Sequence, residues 1–321
     1  MTMSAENSKR SGEIKSYCDW MSQLPPGLHT IPLFDLTIPG SHDTMSYDLD
    51  INSYIVEPDN LKRLSKIYCA RMILRRWAIT QDEPITKQLD AGVRYFDLRV
   101  ARKPNDTDPT RLYFYHGLCT HTDVKTVLKV INEWAVRHPK EILILALSHF
   151  KGFDKDIEMQ LHSHLINFIK TLFGAKLFPR NDTPTLKLCW DTGRNVIVSY
   201  DHKANQDNQL WSKITYYYGN SMDPVTVESN LTEKLKNTPR PFKGFLVCGL
   251  NLTLPDDASI LKYILRCCDN FTNVIQRSLP RLLHWVKDQA VKTPMNIIAS
   301  DLVTRDEFVP TIVKLNISKH V

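Results

Sequence analysis

Two histidines, three aspartates and one arginine stand at or near the ends of apolar runs in this sequence. His42 and Asp43 follow the run Phe34–Ile38, Asp97 and Arg99 sit in AGVRYFDLRVA, His116 closes LYFYH, and Asp301 falls within NIIASDLV. Each has an ordinary alternative: turn chemistry at Ser41-His42-Asp43, a structural ion pair for Asp97 with Arg99, a core histidine at His116, a helix N-cap at Asp301. Taken together they meet the needs of phosphodiester cleavage. One imidazole must accept a proton from an attacking hydroxyl while another gives a proton to the departing oxygen. A guanidinium, permanently charged and bidentate, can neutralise the phosphorane-like charge that builds between them. Carboxylates can fix imidazole tautomers and stabilise the imidazolium forms, and no serine or cysteine nucleophile is required.

Such residues converge only if the elements carrying them share one end of a sheet. The alternation of Phe34, Leu36 and Ile38 with Asp35 and Thr37 predicts a strand before Pro39-Gly40, which would punctuate it. In 91–101 Phe96, Leu98 and Val100 share one parity and Tyr95, Asp97 and Arg99 the other, so one face is apolar and the other polar. LYFYHG at 112–117, the apolar EILILALSHF at 141–150, NVIVSY at 195–200, GFLVCGLNL at 244–252 and NIIASDLV at 296–303 read as further strands. Helical patterns fall between them, including 123–139 and 154–173. Strands alternating with helices predict a mostly parallel sheet. With no Gly-rich nucleotide fingerprint after the first strand, a single-domain α/β fold of distorted TIM-type (β/α) barrel is expected, with all strand ends opening on one face.

The bulk properties agree. Of 321 residues, 42% are hydrophobic and 24% charged, enough for one large core. Residues 1–16 read as a disordered tail without the apolar stretch of a signal peptide, and 17–321 as the barrel. The seven cysteines are odd in number and scattered, which predicts reduced thiols, and the adjacent Cys267-Cys268 lacks zinc-ligand spacing. No apolar run is long enough to cross a bilayer. The formal charge of +6 supports mild attraction to anionic surfaces and gives no basis for nucleic-acid binding. A cytoplasmic protein, peripheral on membranes, is the expectation.

Residues 58–81 are helical in composition and carry Lys62, Lys66, Arg63, Arg71, Arg75 and Arg76. Leu61, Leu64, Tyr68, Met72 and Ile79 form one stripe. Two readings follow: a helix docked on that stripe with a solvated basic face, or a membrane-surface contact with Ile73 and Trp77 dipping between the cations.

The set IPGSHDT, LDAGVRYFDLR, YHG and NIIASD, with WMSQLP near the start and VIVSY, resembles the X region of phosphatidylinositol-specific phospholipase C over roughly residues 20–318. The likeness is greatest to the small X-domain-only proteins, which lack accessory membrane and calcium-binding domains. It implies a distorted TIM barrel cleaving phosphatidylinositol, at a membrane surface, to diacylglycerol and a cyclic inositol phosphate. By motif, His42 becomes the general base with Asp301 as its orienting partner. His116 becomes the general acid assisted by Asp43, and Arg99 contacts the phosphate beside Asp97. The resemblance also implies that Arg99 replaces the calcium ligand of the large eukaryotic enzymes, so no metal or other cofactor is expected.

Two positions depart from the family's bacterial members. Ser148-His149 stands where a lysine helps to hold inositol, and Tyr200 where an arginine contributes to head-group binding, so these three are the expected substrate contacts with altered chemistry. Two other functions compete. A metal-dependent glycerophosphodiester phosphodiesterase would need a carboxylate cluster that Arg99 spoils, and a phosphoinositide-binding scaffold would not need both histidines.

Overall fold

The segment Ile38–Ser41 is itself a strand, β1, in a computed structural model that describes residues 14–104, 106–255 and 269–318. The expected strand therefore begins where its punctuation was placed, and Phe34 to Leu36 precede it in a turn. Packing explains the shift. A Cβ on Gly40 would lie 2.8 Å from Tyr95 Cδ1 and 3.1 Å from Ile297 Cγ2, so glycine admits the two neighbouring strands to close approach. The apolar alternation of 34–38 is instead spent on the core, where Leu36 and Ile38 are buried.

The remaining strands are β2 (Tyr95–Arg102), β3 (Leu112–His116), β4 (Leu118–Asp123), β5 (Leu143–Lys151), β6 (Val196–Tyr200), β7 (Thr215–Tyr218), β8 (Leu246–Gly249) and β9 (Ile297–Ser300). The helices are α1 (Tyr68–Ala78), α2 (Ile85–Ala91), α3 (Val124–Arg137), α4 (Glu158–Phe173), α5 (Leu186–Thr192), α6 (Pro224–Lys236), α7 (Phe271–Lys292) and α8 (Phe308–Ser318). Seven strands run parallel in the order β7-β8-β9-β1-β2-β5-β6, while β3 pairs antiparallel with the far end of β2 and β4 with β3. This is the single-domain α/β barrel expected, with one difference: among the described residues no ladder joins β6 to β7, so the barrel is open there. Two strands escaped the sequence pattern. β4 is mostly polar, and β7 is a short, half-exposed run of tyrosines without alternation.

Buried strands of Ile, Leu and Val fill one main core that reaches from Trp20 to Val313. Its N-terminal mouth is plugged by the turns around Trp20 and by the fully buried Arg94–Glu141 pair, whose carboxylate also accepts the N–H of Met21 at 3.1 Å. Charge, hydrogen bonds and packing all close that end, which leaves the C-terminal mouth for chemistry. Of the expected tail 1–16, residues 1–13 lie outside the described residues, and Ser16 accepts a hydrogen bond from Gln23. Cys267 and Cys268 are likewise outside them.

The basic segment corrects both of its readings in part. Residues 59–64 form a 3-10 turn, and α1 starts only at Tyr68. Of the stripe expected to dock, Leu61 and Ile79 pack against the buried cluster of Leu49, Ile55, Ala78 and Leu118, whereas Leu64, Tyr68 and Met72 are exposed at 37%, 52% and 42%, with Ile67 at 51%. Trp77, expected to dip into lipid, is buried. Arg71 and Arg75 donate to the backbone carbonyls of Ile51 and Leu49, so two of the cations staple α1 to the body.

Candidate active site

β1, β2, β3 and β9 bring His42, Asp43, Asp97, Arg99, His116 and Asp301 to one mouth. The parity of β2 aims Tyr95, Asp97 and Arg99 inward, and the turn after β1 places His42 and Asp43 across from them. Asp43 holds a left-handed backbone at φ 41°, a conformation aspartate tolerates better than most residues and one that commonly marks functional turns.

Asp43 is the hub. Its Oδ2 lies 3.1 Å from His42 Nε2 and 3.3 Å from His116 Nε2, and its Oδ1 lies 2.7 Å from Arg99 Nε. Arg99 also reaches Asp97 Oδ2 at 3.4 Å and His42 Nε2 at 3.1 Å. On their far sides the two imidazoles are held by unlike partners. His42 Nδ1–H donates to Asp301 Oδ1 at 2.7 Å, while His116 Nδ1–H donates to the backbone carbonyl of Ala78, the last residue of α1, at 2.6 Å. Those partners fix the tautomers, so each ring presents Nε2 to the cavity. The ring centroids are 6.3 Å apart, flanking the space above Arg99.

Burial and charge set the proton affinities. Burial alone would push the His42 pKa down, yet the carboxylates of Asp43 and Asp301 outweigh it and hold it above the ordinary imidazole value. Burial would raise Asp43, but Arg99 and the two histidines pull it down to about 2, so it stays ionised. Asp301 is raised, chiefly by burial, against the lowering effect of His42.

The cavity above this cluster has a volume of about 450 Å³ and two kinds of lining. Ser148, His149, Ser199, Asp201, Lys213, Tyr216, Tyr218, Asn251 and Thr253 give it polar lining. Trp77 and Phe271, with rings 6.2 Å apart, and Leu252, Leu254 and Ile214 give it apolar lining. Ser148 and His149 line the cavity. Tyr200 does not: it is buried outside the cavity with its hydroxyl 2.7 Å from His162 Nδ1, and its neighbours Ser199 and Asp201 face the opening. Strand parity is the reason, since residues either side of Tyr200 must point the other way. Asp201, Lys213, Tyr216 and Asn251 were missed. Lys213 and Tyr216 come from the stretch that holds the unrecognised β7, and Asp201 was one parity step from Tyr200. A metal is poorly suited to the cluster: His42, Asp43 and Asp97 could gather around an ion, but the Arg99 guanidinium already lies against all three.

The fold is that of the bacterial phosphatidylinositol-specific phospholipases C. The structure superposes on the enzyme from Listeria monocytogenes with a TM-score of 0.64 at 19% identity, covering 94% of this chain and 98% of that one. A Staphylococcus aureus phosphatidylinositol-specific phospholipase C gives the same TM-score and coverage. The chain itself belongs to the PI-PLC X domain family, whose family model (PI-PLC X 1) it matches over residues 75–316. It is 38% identical to the PI-PLC X domain-containing protein 1 of Homo sapiens over 308 residues, 93% of this chain and 92% of that protein. To the PI-PLC X domain-containing protein 3 of Mus musculus it is 31% identical over 97% of this chain and 96% of that protein.

Proposed function

We propose that this protein is a calcium-independent phosphodiesterase of phosphatidylinositol-type lipids, releasing diacylglycerol and a cyclic inositol phosphate. The observation that carries this reading is the single carboxylate, Asp43, bridging both imidazole Nε2 atoms and the guanidinium. In the reaction His42 Nε2 takes the proton of the inositol hydroxyl next to the phosphate while its new charge is balanced by Asp301 and Asp43. The hydroxyl oxygen attacks phosphorus, Arg99 stabilises the charge gathered on the equatorial oxygens, and protonated His116 delivers its Nε2 proton to the glycerol oxygen as that bond breaks. The polar lining suits the polyol, and the apolar lining with Trp77 and Phe271 suits the glycerol and acyl stems.

The lipid reaches the site from a surface. No helix among the described residues is long and apolar enough to cross a membrane. The exposed Leu64, Ile67, Tyr68 and Met72, set among Lys62, Arg63 and Lys66, form a face fitted to peripheral docking on anionic lipid. Its polar half includes Lys62, which pairs with Asp59 at 2.7 Å. A cytoplasmic, peripherally bound enzyme is the setting this reading requires. The test is to incubate purified protein with phosphatidylinositol vesicles, with and without excess chelator, and resolve the products. Diacylglycerol and cyclic inositol phosphate in both arms support the reading. Turnover only with added divalent ion supports the metal-dependent glycerophosphodiesterase, and vesicle binding without turnover supports the scaffold.

A further inference from the structure

The pairing of β1 with β9 ends at Ser41 and Ser300, one residue short of His42 and Asp301. The His42 N–H still reaches the Ser300 carbonyl at 3.0 Å, and then both chains turn away, with Asp43 and Leu302 in left-handed backbones at φ 41° and 50°. Neither residue is glycine, so contacts from outside the two strands have to hold the turns. The residues just past α1 supply them. Thr80 O accepts the N–H of Leu302 at 2.8 Å. The fully buried Gln81 does the rest with one amide group. Its Nε2 donates to the carbonyls of His42 at 2.9 Å and Ser300 at 3.0 Å, and its Oε1 accepts the N–H of Val303 at 3.2 Å. Those partners settle which end of the amide is which, because two carbonyls require N–H groups. Gln81 is itself fixed: Ser46 Oγ accepts its backbone N–H at 2.9 Å and that of Thr80 at 3.0 Å.

We propose that Gln81 is a positioning residue for the general base: by holding the carbonyls of His42 and Ser300 on one amide group, it sets the 2.7 Å hydrogen bond between His42 Nδ1 and Asp301 Oδ1. The role rests on the reading of His42 as the base, whereas the geometry it accounts for does not. Gln81 lies behind the pair and does not line the cavity, so it acts through the backbone. The backbone is what aims the carboxylate, since Asp301 Oδ2 is buried without a hydrogen-bond partner among the described residues. A slack pair would let the imidazole turn and carry Nε2 out of line with the hydroxyl it deprotonates. The same stretch contains Ala78, whose carbonyl orients His116, so both imidazoles take their alignment from four consecutive residues at the end of α1. A second amide makes the same pattern at the other end of these strands. Asn296 Nδ2 donates to the carbonyls of Leu33 at 2.8 Å and Leu36 at 2.7 Å, and its Oδ1 accepts the N–H of Leu246 at 3.3 Å. Asn296 ties together the chains that lead into β1, β8 and β9, far from the histidines, and so serves as the structural counterpart.

The test compares Gln81→Met, which keeps the length of the side chain but removes its donors and acceptor, with Asn296→Leu, which removes the same set at the other end. Three quantities are read in the full-length protein. The first is the low-field imidazole N–H resonance of His42 in protein carrying isotope-labelled histidine, assigned by its loss in Asp301→Asn. The others are the melting temperature, and kcat and KM on phosphatidylinositol vesicles. Both variants should melt below the parent. Only Gln81→Met should lose the resonance or shift it upfield, and only there should kcat fall, by roughly 10- to 100-fold with KM within about 2-fold of the parent. If Gln81→Met does not fold, Gln81→Asn, whose amide is one methylene short, replaces it with the same expectation. A parent-like resonance and kcat in the folded Gln81 variant overturns the proposal, as does an equal loss of the resonance in Asn296→Leu. A resonance that depends on Gln81 in a protein without turnover leaves the positioning in place and removes the lipid-cleaving reading instead.

Discussion

The histidine–carboxylate cluster and the polar lining of the cavity lie side by side but are held in different ways. His42, Asp43, Asp97 and Asp301 are buried, and every side chain of the cluster touches at least one other. The wall is more mixed: His149 is exposed and in a left-handed backbone at φ 51°, the Ser148 hydroxyl lies 2.8 Å from His149 Nδ1, and the Asp201–Lys213 pair at 2.9 Å is solvent-facing with the lysine 67% exposed, whereas Ser199 and Asn251 are buried and Asn251 Oδ1 accepts from the Tyr216 hydroxyl at 3.0 Å. Mutual restraint fixes the geometry that proton transfer needs. The exposed part of the wall can be rewritten without disturbing the cluster, so under the proposed function reaction type and head-group choice are separable.

The sharpest way to break that contrast is at the histidines. His42→Ala and His116→Ala should each lower turnover by roughly 10²–10⁴-fold with the melting temperature little changed. A substrate with an acidic leaving group should rescue His116→Ala more than His42→Ala, because only His116 supplies the leaving proton. Equal rescue would show that the two rings do not have separate roles. Next comes Arg99→Lys, which keeps the charge but not the fork that binds Asp43 and Asp97; a loss of about 10²–10³-fold in kcat, unaltered by calcium, is expected. Restoration by calcium would bring the metal-dependent alternative forward.

A third test uses protonation. Because His42 must be neutral to act as a base and its carboxylate neighbours raise its pKa, the acid limb of the kcat/KM profile should lie above pH 6.5. Asp301→Asn removes one raising charge and should move that limb to lower pH, while Ser148→Ala should leave it in place. The smallest effects belong to the wall. Ser148→Ala and Asp201→Asn should each change KM by roughly 2- to 10-fold, the scale of one hydrogen bond, with different signs on different head groups and kcat nearly constant.

Legibility in the sequence divides along the same line. The cluster was readable because its residues sit at the ends of strongly apolar strands, where period and position leave one geometry. The wall was not, because β7 consists of half-buried tyrosines with no alternation and Tyr200 was placed without applying the parity of its own strand. β1 was misplaced for a related reason. Pro-Gly usually ends a strand, but here the crowding of Tyr95 and Ile297 makes glycine the residue that lets one form. The outward turn of Leu64, Tyr68 and Met72 was equally hidden, since a helical stripe does not say whether its partner is the core or something outside the chain.

The hydrogen bond from His42 to Asp301 spans 259 positions. β1 pairs with β9 along all four of its residues, so His42 and Asp301 are brought together from strands far apart in the sequence. During synthesis the ribosome must therefore release β9 before His42 acquires its partner, and loops of that length close late in folding. Nascent or prematurely terminated chains that lack β9 leave His42 without the Asp301 carboxylate, so under the proposed mechanism they carry an incomplete site.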